Sequence, residues 1–201
     1  MIERLTKHSV GSAGYPSFGC AFSAVLLGVL LLSGCAHHPS PAQELSAGIA
    51  PFTDSRDQTI RVVVSSKHSL GAADLNSLAV AYTPLEERAN AYAHFLVVSV
   101  NSASFSVDQN KQCASDLTAA INAFNKAFTG IASSQQAAST VSSAWVAPFA
   151  ATIAADWGEY GAAIGGMSSQ AKADLTNQLR NKTLWPNYED IATESLATPP
   201  H

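Results

Sequence analysis

Charge is scarce in this chain of 201 residues: Asp, Glu, Lys and Arg make up 13%, with 11 basic against 15 acidic side chains and a formal net charge of -4. There is no basic excess to neutralise phosphates, so no nucleic acid is expected as a partner. Cysteine is rarer still, with three residues, too few for a disulfide framework. No apolar run reaches the ~20 residues of a bilayer-spanning helix. There is no Walker loop, no GxGxxG after a strand, no GxSxG elbow, no HExxH and no paired CxxC, which moves weight away from catalysis. What remains is a globular composition, 47% hydrophobic.

The least charged stretch is at the front. Ser9 through Gln43 carries no Asp, Glu, Lys or Arg, and within it lies the apolar run Cys20–Leu32, preceded by Arg4 and Lys7. A basic leader followed by a short apolar core has the layout of a secretory signal. Directly after the run stands Leu32-Ser33-Gly34-Cys35.

This tetrad resembles the lipobox of bacterial lipoproteins, and the resemblance covers only the first 35 residues. It implies that Cys35 receives a diacylglycerol on its thiol, that a type II signal peptidase cuts before it with Leu32, Ser33 and Gly34 as the recognised residues, and that the freed amine is acylated. Small residues at Ser33 and Gly34 leave the backbone open to a protease, and the thiolate is the nucleophile that accepts the lipid. Two or more acyl chains anchor stably where one would not. Ala36 rather than Asp after the Cys looks like forwarding to the outer membrane of a diderm bacterium. The expected division is a signal peptide over 1–34, a lipidated tether over 35–57 and a helical domain over 58–201. The mature chain keeps only Cys35 and Cys113, so no intramolecular disulfide is expected.

The tether reading rests on His37-His38-Pro39-Ser40-Pro41 and on Pro51, in a stretch without sustained periodicity; prolines favour extended backbone. His37-His38 lack a third ligand nearby, so no metal is expected there. Thr59–Ser65 is rich in β-branched residues and reads as a short strand or an extended segment laid against helices.

The rest reads as helix. After the turn residues Ser69 and Gly71 comes a short helix over Ala72–Ala81. Thr83-Pro84-Leu85-Glu86 then offers a cap, a first-turn proline and a capping box for a helix to about Ala103. Ser106 with Gln109 offers a second box, followed by Cys113, Leu117, Ala120, Ile121, Phe124 and Phe128 at spacings of three and four, with Gly130 at the C-terminus. A third helix over about Ser134–Ile164 carries Val141, Trp145, Phe149, Ile153, Trp157, Tyr160 and Ile164, with a kink at Pro148. A fourth runs from Ser168 or Ser169 to Leu184, and a last short one from Pro186 to about Leu196. The fold class is therefore all-α, an antiparallel bundle of three to five helices. Gly158, Gly161, Ala162 and Gly165 are the positions expected to let helices approach closely.

Chemistry-bearing residues are few. Cys113 is the one free thiol of the mature chain, and His94 on the preceding helix is the residue that could act as its base; a small core residue is the plainer account. Asp156 and Glu159 lie three apart on one helical face, suited to acid-base work or to a solvated surface. The aromatic set Trp145, Trp157, Tyr160, Trp185 and Tyr188 fits either core or a contact surface. No cofactor is implied. The function expected is that of an envelope lipoprotein, joined to the lipid bilayer through acylated Cys35. It would act as a binding or accessory module for an envelope protein or ligand. The alternatives are a small enzyme acting on wall or lipid substrates and a protective or excluding lipoprotein.

Overall fold

The structure, a computed structural model, describes residues 41–132 and 140–194. All regular structure there is helical: α1 (Pro41–Gly48), α2 (Ala50–Lys67), α3 (Ala72–Ser102), α4 (Val107–Ile131), α5 (Val146–Gly165), α6 (Ser169–Thr183) and α7 (Tyr188–Glu194). The protein is an all-α helical bundle, and no strand occurs among the described residues.

The first correction concerns the tether. Residues 41–48 and 50–57 are helix, joined through a turn at Ile49, and Leu45, Ile49 and Phe52 are 2, 1 and 0% exposed. Their spacing of four and three is one helical face. The prolines that suggest extended chain occupy helix starts instead: Pro41 opens α1, and Pro51 sits in the first turn of α2. There the missing amide hydrogen has no intrahelical acceptor to lose.

The second correction concerns Thr59–Ser65, which continues α2 instead of forming an extended segment. Ser55, Thr59, Val62, Val63 and Ser66 are buried. The hydroxyls of Thr59 and Ser66 donate to carbonyls one turn back, on Ser55 at 2.8 Å and Val62 at 2.7 Å. Hydroxyls satisfied inside their own helix can face a core, and burial of the stripe outweighs the small β preference of its valines.

Helix α3 fuses the two helices expected over 72–103. Its stripe of Leu78, Tyr82, Leu85, Ala89, Tyr92 and Leu96 is buried throughout and runs past Pro84 without interruption. Pro84 is exposed, as is Val80 four residues earlier, so water can replace the helical donor that the Val80 carbonyl loses. The helix ends at Ala103, a non-glycine residue with φ of 50° whose N–H reaches the Ser99 and Val100 carbonyls.

Helix α4 starts as expected, with the Ser106 hydroxyl accepting the Gln109 amide at 3.2 Å. It passes through Gly130 to Ile131 and is capped at Ala132. Helix α5 begins at Val146, well after Ser134, and so Pro148 falls in its first turn and causes no kink. Residues 134–139 lie outside the described residues. Val141 and Trp145 precede α5 in a non-helical link, and Asn125 of α4 holds that link by pairing with both backbone groups of Val141, at 2.7 and 2.9 Å. Ser168 caps α6, and Asn187 caps α7 through the Asp190 amide. The Arg56 guanidinium of α2 closes the other end of α6, donating to the Lys182 carbonyl at 2.6 Å.

The longest seam joins α3 and α4. It is antiparallel, as shown by Tyr92 meeting Asn110, Arg88 meeting Asp116 and Tyr82 meeting Phe124 in order. Helix α6 packs on α3, and α5 packs on both α4 and α1. At the centre, Phe52 lies 5.8 to 6.2 Å from the rings of Trp145, Tyr92, Phe149 and Trp185. Three of these contacts are edge-on, the arrangement that ring quadrupoles favour.

Candidate functional site

Leu32, Ser33, Gly34, Cys35, His37 and His38 lie outside the described residues. Within the body, the residues singled out for chemistry do not come together. Cys113 is half-buried on α4, beside the α4 stripe and not in it. Burial, and then the Asp116 carboxylate, push its thiol up from the ordinary value, against a small opposing effect of a backbone hydrogen bond. That setting is the reverse of the electropositive one that makes a reactive thiolate.

His94 is exposed on α3 and lines two clefts, neither of which includes Cys113. Asp156 accepts the Tyr160 hydroxyl at 3.4 Å, one turn along α5, and Glu159 is exposed. The two carboxylates thus sit on α5 away from His94's clefts. No group of three or more His, Cys, Asp or Glu suited to a metal ion occurs among the described residues.

The aromatic set belongs to the interior. Trp157, Tyr160 and Trp185 are buried, with Trp145 and Tyr188 partly buried against the same core. The indole N–H groups of Trp145 and Trp185 and the hydroxyl of Ser55 are buried without a hydrogen-bond partner. The glycine positions expected at a close helix contact are mostly open: a Cβ at Gly158 or Gly165 would meet nothing within 4 Å.

The sequence reading missed a concavity among the described residues, a groove of about 580 Å³ between α4 and α5. Its walls are Ala114, Thr118 and Ala119 on α4, with Ala147, Ala151 and Ala154 on α5. At its base the buried Asn110 donates to the Ala150 carbonyl at 2.8 Å and accepts the Tyr92 hydroxyl at 2.6 Å. That link ties three helices, so the groove's shape is held by hydrogen bonds that a ligand need not supply. Lys111 brings the groove's one charged side chain. The available signal was the alanine run of α5, whose methyl groups recur at helical spacing on the face opposite Phe149 and Ile153.

A second feature without a sequence signal is the acidic corner of α3 and α7. Burial first, then Glu87 and Asp190, raise the Glu86 carboxyl above its ordinary value. Burial also puts the Tyr82 phenol far above its usual range, and its hydroxyl donates to the Pro186 carbonyl at 2.7 Å.

No helix among the described residues is long and apolar enough to cross a membrane. Compared with protein-family models, with curated proteins and with solved structures, the chain matches none.

Proposed function

We propose that the chain is an envelope lipoprotein, anchored to the membrane by acylated Cys35, whose helical body works by binding an envelope protein partner in the α4–α5 groove. The observation that carries the binding reading is the groove itself: preformed, walled by methyl groups and braced at its base by Asn110. Such a concavity offers apolar contact with a few placed polar groups, as binding sites do. Enzymatic alternatives draw no comparable support, since Cys113, His94, Asp156 and Glu159 share no cleft with one another. The anchoring reading rests on Leu32-Ser33-Gly34-Cys35, and outer-membrane placement on Ala36.

A photo-crosslinking residue at Ala151, on the groove, is to be compared in intact cells with one at Asn177, on the exposed side of α6. The expected result is a discrete adduct from position 151 and none from 177. Equal labelling from both positions, or none from 151 in an abundant and folded protein, would refute groove binding. Cys35→Ser tests the anchor separately, with an unprocessed, lipid-free species expected.

A further inference from the structure

We propose that the cleft between α3 and α6 is a binding site for a small carboxylate bearing a short aliphatic group, with Arg180 and His94 holding the carboxylate. The cleft has a volume of about 120 Å³. At ~30 Å³ per water, it takes the space of about four waters, enough for a carboxyl group and a few carbons.

Its chemistry is lopsided. Arg180 and His94 line it from opposite helices, Asn90 stands at the rim with its amide engaged by Trp185 and Glu86, and Ala93, Val97 and Leu184 supply the apolar surface. No carboxylate lines it. Arg180, like Arg61, has no acidic partner among the described residues, while Arg56 pairs with Asp57 and Arg88 with Asp116. In an acidic chain, a guanidinium and an imidazole converging on an apolar floor suit an anion from outside. Arg offers a planar fork that matches a carboxylate, and His has an N–H to donate in either protonation state.

Arg180 stands in the last turn of α6, where a cation meets the helix dipole favourably. The carbonyls there are already served: Arg56 donates to Asn181 and Lys182, and the Leu184 amide donates to the Arg180 carbonyl. The guanidinium of Arg180 is therefore spare. Glu86, one turn before Asn90, accepts the Asn90 side-chain amide at 3.4 Å but does not itself line the cleft.

The walls are held in advance. Asn90 bonds both backbone groups of Trp185, and the buried Thr183 hydroxyl donates to the Leu179 carbonyl at 2.7 Å. Leu184, between them, is 56% exposed. A ligand whose carboxylate meets Arg180 and whose alkyl part lies over Val97 and Leu184 would cover it.

The test is saturation-transfer NMR of butyrate on the full-length chain in detergent micelles. Saturable binding with a millimolar dissociation constant is expected. Arg180→Gln and His94→Leu should each weaken it about tenfold, the range for losing a charge-assisted hydrogen bond, with Arg180→Lys between Arg180→Gln and the native chain. Leu184→Ser should weaken butyrate and leave acetate unchanged. All four variants can be checked for folding by circular dichroism. Absence of saturable binding, or binding unchanged in Arg180→Gln, overturns the site. Inorganic phosphate binding as tightly as butyrate, with no effect of Leu184→Ser, overturns the carboxylate assignment. Cys35→Ser should bind as the native chain does, so a failure of the anchor leaves this result readable.

Discussion

The side-chain amide of Asn90 grips the backbone of Trp185 from both sides, accepting its N–H at 2.8 Å and donating to its carbonyl at 3.1 Å. Asn125 treats Val141 the same way. In both places an asparagine on a long helix replaces the partner that a non-helical link would otherwise lack, and the linked side chain can then be buried. Asn90→Ala leaves two backbone groups unsatisfied next to the core and is expected to cost about 2–3 kcal/mol. Urea denaturation should show the loss as a lower midpoint with an unchanged slope.

Phe52 is the centre of the aromatic cluster and is fully buried. Phe52→Ala is expected to destabilise the fold by about 3–5 kcal/mol, whereas Val80→Ala, at a site 66% exposed, should stay within ~0.5 kcal/mol. The same denaturation experiment checks both. Equal effects would mean that residues 50–57 behave as the tether suggested by Pro51.

Ala103 adopts a left-handed conformation at the end of α3. Such a conformation costs a non-glycine residue ~1–2 kcal/mol, partly offset here by packing of the methyl group against the core. Ala103→Gly should therefore raise stability by about 0.5–1 kcal/mol, visible as a higher thermal midpoint.

Glu86 has a carboxyl raised by burial and by its acidic neighbours. A carboxyl raised in the folded state binds its proton more tightly there than in the unfolded chain, so its contribution is fully present below the unfolded value of 4.5 and is lost as pH rises through the folded one. Glu86→Gln should flatten the fall in stability between mildly acidic and neutral pH, measured as midpoint against pH. A steeper fall in the variant would contradict the assignment.

The helices legible in the sequence were those whose stripes and caps agree, as in α4 with Ser106 and Phe124, or α6 with Ser168 and Leu179. What misled were prolines and β-branched residues read locally. Pro41 and Pro51 have the same chemistry in a spacer and in a first helical turn, and only the burial of Leu45, Ile49 and Phe52 by distant elements decides between them; Pro148 was read as a kink because the start of its helix at Val146 has no clear cap. Of the site, His94 and Cys113 were legible as residue types. Arg180 and the α4–α5 alanines were not, because alanine methyls and a lone arginine acquire meaning only from what the fold sets opposite them.

The rings around Phe52 come from α2, α3, the start of α5 and the link after α6, so the cluster spans nearly the whole order of synthesis. A ribosome that has released the chain only through α5 has released Phe52, Tyr92 and Phe149 without Trp185. Until the last helices emerge this core is missing a wall, and closing it brings Trp185 to Phe52 across most of the described chain, a long-range contact of the kind that slows folding.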